Sequence, residues 1–304
     1  MIASRQPIGG ADVGRHYDEL DAFYRDVWGE HVHHGLWLRG DESRELAVRQ
    51  LAELVGREAG IERGTRVIDI GCGYGATARL FVEEFGAKLT AITISAAQHA
   101  VAVAKPSSSS SAGEREEDDE EADEDDFLRR PPNPRYLHGD WLANDLPDAS
   151  FDSAIAIESS EHMADKPRFF AEAHRVLRPG GGFVICAWLC AERPTTHQER
   201  HLIEPICREG RMPHLGCQSD YRALATTAGF TVERVQDVTR QIAPTWPLII
   251  RTFLLKLLRK PGYLRFLFNR HAHNRIFALT TLRLWLAFRT GAMRYGVFTL
   301  RKRC

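Results

Sequence analysis

At 304 residues, 43% hydrophobic and 27% charged, the chain has a globular composition and length for one domain with an appended cap or for two small domains. Its formal net charge of −1 hides an imbalance: residues 114–126 hold eleven carboxylates and one Arg, so the rest carries 30 acidic against 39 basic groups, about +9. Six cysteines (Cys72, Cys186, Cys190, Cys207, Cys217, Cys304) without framework spacing or C-x-x-C argue against a disulfide scaffold, and no stretch reaches the roughly 18 apolar residues of a membrane helix. The start, Met-Ile-Ala-Ser-Arg-Gln-Pro, lacks the apolar core of a signal peptide, so the expectation is a soluble cytoplasmic protein with free thiols.

In chain order, residues 1–60 read as a helical lid, with helices from His16 to Trp28 and from Ser43 to Ala59. A polar, aromatic connection carrying His31, His33 and His34 separates them. Strands and helices alternate from Thr65, the pattern of a parallel sheet with right-handed crossovers, so residues 61–190 form the core. Its strands are Arg66–Ile70, Lys88–Ile94, about Arg135–His138, Ser153–Ile157 and Phe183–Leu189. A helix over Ala76 to Phe85 follows the first strand. Another, over Phe169 to Leu177, ends at Arg178-Pro179-Gly180-Gly181-Gly182. Lys105 to Pro134 holds a serine run, the acidic block and Pro131-Pro132-Asn133-Pro134, a composition that cannot bury enough apolar surface to offset its ordering entropy; a disordered surface insertion is expected. In the C-terminal part, 191–304, a polar His- and Arg-rich segment (191–216) precedes a helix at Asp220–Ala228 and a strand at Thr231–Val238. A mostly helical stretch, Pro244–Phe288, then leads to a last strand from Met293. The excursion at about 240–290 between the last two strands (the second at about 293–301) reads as a cap over the site.

The run Val67-Ile68-Asp69-Ile70-Gly71-Cys72-Gly73-Tyr74-Gly75 is the most informative in the chain. A short apolar strand empties into alternate glycines, which let the backbone pass close to a ligand at the carboxyl end of a parallel strand. The spacing is G-x-G-x-G, not the G-x-G-x-x-G of a pyrophosphate cradle, and the acidic Asp69 suits a ligand carrying an amino group. Strand two ends in Thr93-Ile94-Ser95, followed by Gln98. No carboxylate stands there for ribose hydroxyls, but Thr93 and Gln98 supply neutral hydrogen-bonding groups. Gly139-Asp140-Trp141 follows strand three: the carboxylate can accept from an adenine amine and the indole can stack on the ring. Strand four runs into Glu158-Ser159-Ser160-Glu161-His162-Met163.

Together these words resemble the γ-tocopherol-methyltransferase-like branch of the class I S-adenosylmethionine (SAM) methyltransferases. Further matching words are Trp28-Gly29-x-His31-x-His33-His34-Gly35, Ala91-Ile92-Thr93-Ile94-Ser95-x-x-Gln98, Ile157-Glu158-Ser159-x-Glu161-His162-Met163-x-Asp165-Lys166, Ala243-Pro244-x-Trp246-Pro247 and Arg294-Tyr295-Gly296. They cover residues 15–304 apart from 105–134. The resemblance implies a Rossmann-like α/β fold with a mostly parallel seven-stranded sheet, and SAM as cofactor with S-adenosylhomocysteine (SAH) as product. The implied cofactor residues are Tyr17, Asp69, Gly71, Gly73, Thr93, Ile94, Gln98, Gly139, Asp140, Trp141 and Glu158. His16-Tyr17-Asp18 is similar to the segment that closes over SAM in cyclopropane-fatty-acid synthases.

Methyl transfer from a sulfonium is an in-line displacement, so the protein mainly aligns and dehydrates the partners; an oxygen or nitrogen acceptor loses a proton and a carbon acceptor leaves a cation. His162, Glu161 and Glu158 are the candidates for base or charge stabilisation, with holding the SAM amino group or orienting a helix as the structural alternative. Tyr24, His34 and Trp246 are candidate acceptor contacts. The expected acceptor is an apolar small molecule, such as a prenylated aromatic, terpenoid or alkaloid, with C-, N- and O-methylation all open. The three neighbouring histidines lack a fourth ligand, so no metal is expected; without a basic-aromatic stripe, neither is nucleic acid. Residues 248–258 form a basic amphipathic stretch that suits either a membrane surface or packing of the cap. Two other classes stay open, a non-catalytic SAM-binding scaffold and a nicotinamide-dependent dehydrogenase. The glycine spacing and Thr93 argue against the latter.

Overall fold

The computed structural model of the protein describes residues 1–105, 133–259 and 277–303. Seven strands form one sheet: β2 (Arg66–Ile70), β3 (Lys88–Thr93), β4 (Arg135–His138), β5 (Phe151–Ile157), β6 (Leu177–Cys190), β8 (Phe230–Asp237) and β9 (Met293–Lys302), in the order β4-β3-β2-β5-β6-β9-β8. The first five run parallel, and β9 inserts antiparallel between β6 and β8. Alternate residues feed two apolar cores: Val67, Ile155 and Val184 belong to one, and Ile68, Ala154 and Ile185 to the other. A sheet covered on both faces demands near-continuous apolar strands, and β2 and β5 have them.

Topology then positions the site. From β2 the chain steps outward to β3 and β4, then returns to the other side of β2 for β5 and β6. The reversal at β2/β5 opens a crevice at the carboxyl ends of these strands, where open α/β sheets bind ligands. The helices α3 (Arg44–Glu58), α4 (Ala76–Phe85), α5 (Ala96–Ala104) and α6 (Lys166–Val176) accompany these strands.

Several expectations are corrected. The first helix begins earlier and is broken: α1 (Gly10–Glu19) and α2 (Asp21–Val27) meet at Leu20, whose φ of −97° and ψ of 6° end one helix and start the other. A two-residue strand β1 (Ile2–Ala3) pairs antiparallel with β7 (His214–Leu215), too short to read from sequence. The segment 191–216 is not merely polar: α7 (Thr196–Gln198), a π-helical turn (Glu199–Ile203) and α8 (Glu204–Glu209) bury Leu202, Ile203, Ile206 and Cys207. Helix α6 ends at Val176, just before Arg178–Gly182 as expected, but that run is not a free turn. It lies within β6, where the register with β5 jumps from Phe151↔Leu177 to Ser153↔Gly182 and Gly180 takes a φ of +75°. The remaining helices are α9 (Gln218–Thr227), α10 (Thr239–Ile242), α11 (Thr245–Arg259) and α12 (Phe277–Arg289). Most of the serine/acidic insertion (106–132), the middle of the cap (260–276) and Cys304 lie outside the described residues. The five described cysteines are free.

Candidate active site

The turn from β2 into α4 is built by three left-handed glycines with φ of +83° (Gly71), +56° (Gly73) and +72° (Gly75). Each is glycine for a different reason. A Cβ at Gly71 would stand 2.3 Å from Ser159 Cβ and one at Gly75 2.5 Å from the Tyr136 ring, whereas nothing lies within 4 Å of the Gly73 position. Gly73 therefore faces open space, the floor of a cleft of about 760 Å³. Ten of the eleven expected cofactor residues line it: Tyr17, Gly71, Gly73, Thr93, Ile94, Gln98, Gly139, Asp140, Trp141 and Glu158. Asp69 does not; it is buried in β2, and burial pushes its carboxyl up to about 7.

At the rim, Thr93 Oγ1 donates to Gln98 Oε1 at 2.9 Å, so the neutral pair is pre-ordered. Asp140 Oδ1 accepts from Leu142 N at 2.9 Å, and Trp141 sends its indole N–H to the Phe169 carbonyl at 3.2 Å within the second core. Helix α1 lies across this rim because Gly10 and Gly14 permit it: a Cβ at either would stand 2.9 Å from Ile94 Cδ1 or 3.1 Å from Ile94 O. Asp18 anchors it, accepting from Ser95 Oγ at 2.6 Å and from Ala97 N at 3.0 Å at the start of α5.

A second cavity of about 650 Å³ adjoins the first, walled by Tyr24, Trp28, Trp188 and Trp246 together with Ile206, Met212 and Leu284. Tyr17, Val32, Glu158 and His162 line both. These four side chains form the junction between the cavities.

Glu158 takes a φ of +53°, rare for a side-chain-bearing residue, and this turns its carboxylate into a ring of donors. It accepts from His34 N at 2.7 Å, His34 Nδ1 at 2.9 Å, Trp188 Nε1 at 3.0 Å and Tyr295 Oη at 2.8 Å. Burial opposes its ionisation, but His34 and its hydrogen bonds prevail and hold the carboxyl below its ordinary range. A carboxylate so saturated is a fixed negative charge rather than a proton acceptor. His34 is fully buried and borders neither cavity. The rings of Trp28, Trp188, Trp246, Phe288 and Tyr295 surround it at 4.9 to 5.9 Å.

His162 Nδ1 lies 3.1 Å from the Arg211 carbonyl, which can only accept, so Nδ1 carries the proton. Nε2 then accepts from the Tyr17 hydroxyl at 2.9 Å. Burial pushes the His162 pKa down to about 4, leaving a neutral imidazole at physiological pH, and the same burial raises that of Tyr17. Glu161 lines only the second cavity; it accepts from Trp188 N and, at 3.2 Å, from Ser160 Oγ. Burial raises its carboxyl pKa and lowers that of buried Lys166, which donates to the carbonyl of Ser160 at 3.1 Å. His31 and His33 do not face a ligand space together; both ring nitrogens meet Thr77 Oγ1, at 3.2 and 3.1 Å. Among the described residues no group of three or more His, Cys, Asp or Glu is placed to hold a metal.

Residues 68–185 match the family model described as a methyltransferase domain. The chain is 31% identical over 244 residues to the O-methyltransferase cnsE of Penicillium expansum, covering 77% of each. The chain belongs to the class I SAM-dependent methyltransferases. It is also 26% identical over 309 residues to the tocopherol O-methyltransferase of Arabidopsis thaliana, covering 95% of this chain and 81% of that one. The probable tocopherol O-methyltransferase of Oryza sativa subsp. japonica is 28% identical over 252 residues, or 78% of this chain and 64% of its own length. These likenesses put the methyltransferase in the tocopherol-methyltransferase-like branch. Its fold is that of the mycolic acid cyclopropane synthase CmaA1 solved with SAH (TM-score 0.78, 22% identity, 98% of this chain, 100% of that one). A [4+2]-cyclase, SpnF, shares it too (TM-score 0.76, 21% identity, 100% and 99%). Both plant relatives are named chloroplastic, so the family does not fix a compartment; no described helix of the methyltransferase is long and apolar enough to cross a membrane.

The methyltransferase's cleft fits its cofactor, since the open Gly73 position is a cradle that any side chain would fill. Of the three candidate acceptor contacts, Tyr24 and Trp246 line the second cavity, whereas His34 stands behind Glu158 and lines neither cavity. Sequence reasoning missed Trp188, Tyr295, Met212 and the α12 residues Thr280, Thr281 and Leu284. Trp188 carried a signal, an indole at the end of a central strand. Met212 lay in a segment whose polar surface residues mask its apolar spacing.

Proposed function

We propose that the protein moves a methyl group from SAM, held in the first cleft, to an apolar small molecule seated in the second cavity, a prenylated aromatic, terpenoid or alkaloid. One observation carries the reading: the two cavities share Tyr17, Val32, Glu158 and His162. A donor in one and an acceptor in the other can face each other only there, which is the alignment a displacement needs. The cofactor supplies an electrophilic methyl on a sulfonium. Gly71, Gly73, Thr93, Gln98 and Asp140 hold it, Glu158 provides fixed negative charge beside the junction, and α1 covers the cleft; the expected lid over residues 1–60 is narrower than that range, since α3 packs on the sheet.

At the acceptor side the chemistry falls to Tyr17. Its hydroxyl donates to His162 Nε2, so its oxygen can still accept a hydrogen bond. An acceptor O–H or N–H that hydrogen-bonds to Tyr17 Oη loses its proton to that oxygen as the Tyr17 proton passes to Nε2. The Arg211 carbonyl keeps the imidazole oriented for this.

The test is turnover. Purified protein is incubated with deuteromethyl SAM and a panel of prenylated hydroquinones, polyketide phenols and alkaloids, and products are read by mass spectrometry. Label in an apolar acceptor with matching SAH supports the reading. SAH binding without label in any acceptor supports a non-catalytic scaffold instead, and NAD binding in place of SAH overturns the cofactor.

A further inference from the structure

The last acidic residue of the chain is Asp237. From 238 to 304 the sequence holds fourteen Lys and Arg and no Asp or Glu. Two described helices of this segment, α11 and α12, supply Trp246, Thr280, Thr281 and Leu284 to the wall of the acceptor cavity. Their inward faces account for part of their apolar content. Trp246 and Ile249 are buried, Phe253 meets Phe23 at 5.5 Å, and Leu284, Ala287 and Phe288 are buried on α12.

Their outward faces are not polar. On α11 Leu254, Leu255 and Leu258 are exposed, Leu258 to 84%; on α12 Leu279, Leu282 and Leu286 are exposed at helical spacing. A helix face turned to water normally carries polar residues. Here the leucines are accompanied by exposed Arg251, Arg259 and Arg289. Lys256 and Arg283 are not part of that face's charge, since they pair with Asp26 and Glu209. Apolar residues flanked by arginines, with no carboxylate in either helix, match the boundary of an anionic bilayer: leucines enter the acyl edge and guanidinium groups meet headgroups. A nucleic acid would use the charge but leave the leucines in water.

We propose that the outer face of α11 and α12 docks on an anionic lipid surface. The acceptor cavity then lies directly behind the docked helices, and an apolar acceptor dissolved in the bilayer has a short path to it.

Flotation of the full chain with vesicles tests this, using phosphatidylcholine with phosphatidylglycerol against phosphatidylcholine alone. The protein is expected to float with the anionic vesicles only, and to be released by raised salt. Arg251→Gln/Arg259→Gln is expected to weaken partitioning about thirtyfold, at about 1 kcal/mol for each basic residue. Leu254→Glu/Leu258→Glu, at positions already exposed, is expected to weaken it at least as much, with melting temperature and SAH affinity unchanged in both variants. The proposal is overturned if wild type ignores anionic vesicles or if both variants float like wild type. It is equally overturned if light scattering shows a dimer that Leu254→Glu/Leu258→Glu splits, or if the arginine variant loses an oligonucleotide but keeps the vesicles. SAH binding is read separately, so failure here leaves the methyl-transfer reading standing.

Discussion

Tyr17 and His162 lie 145 positions apart in sequence, yet one hydrogen bond joins them at the junction of two cavities. If they relay a proton, Tyr17→Phe and His162→Ala each cut turnover on an oxygen or nitrogen acceptor by about a hundredfold, the scale of a lost general base, with SAH affinity nearly unchanged. Wild-type turnover in both variants contradicts the relay. The His162 pKa is lowered from 6.5 to about 4 by burial, so between those values the unfolded chain takes up the proton that the folded one refuses. Stability therefore falls as pH drops from about 6.5 towards 4, and His162→Ala removes that part of the slope. Carbon-13 histidine titration followed by NMR is the direct check: the His162 ring stays neutral, protonated at Nδ1, down to about pH 4. The individual letters Glu158, Glu161 and His162 were legible in the sequence as candidates, but their division of labour was not. That Glu158 is saturated by His34, Trp188 and Tyr295 depends on contacts from three distant segments, which no local spacing encodes.

The strand-to-helix turn separates structural from ligand-facing glycine at the scale of one element. Gly71→Ala drives a methyl into Ser159 and keeps a strained φ, so it lowers the melting temperature markedly. Gly73→Ala meets open space and costs roughly 1 kcal/mol of backbone strain, while its methyl intrudes on the cofactor and weakens SAH binding far more than it weakens the fold. Calorimetry and thermal melts on the two variants decide; equal loss of SAH affinity without a difference in melting contradicts the assignment. The core strands and α4 were legible because apolar runs bounded by glycine punctuate them strongly. The break at Leu20 was not, since no Pro or Gly marks it; the π-helical turn at Glu199–Ile203 did carry a signal that was missed, Pro205, which has no N–H for the His201 carbonyl. The Arg178–Gly182 run marked the end of α6 correctly, but not that it also forms the irregular start of β6.

For the whole molecule, the order β4-β3-β2-β5-β6-β9-β8 gathers the expected cofactor residues other than Asp69 around one cleft beside the central strands, although they are scattered from Tyr17 to Glu158. Alternating strand and helix patterns made that architecture legible, whereas the second cavity depends on packing between the first helices, the 196–212 segment and the cap. Replacing residues 105–134 with a short Gly/Ser connector is expected to leave melting temperature and SAH affinity nearly unchanged, because their composition supports no core; a large loss of either would show that the acidic block takes part in fold or site. The central claim is that donor and acceptor meet where Tyr17, Val32, Glu158 and His162 line both cavities. A crystal structure of the SAH complex tests it most directly. The account predicts adenine beside Asp140, the ribose at Thr93 and Gln98, and the sulfur directed at that junction. SAH bound elsewhere, or with its sulfur turned away from Tyr17 and His162, would contradict it.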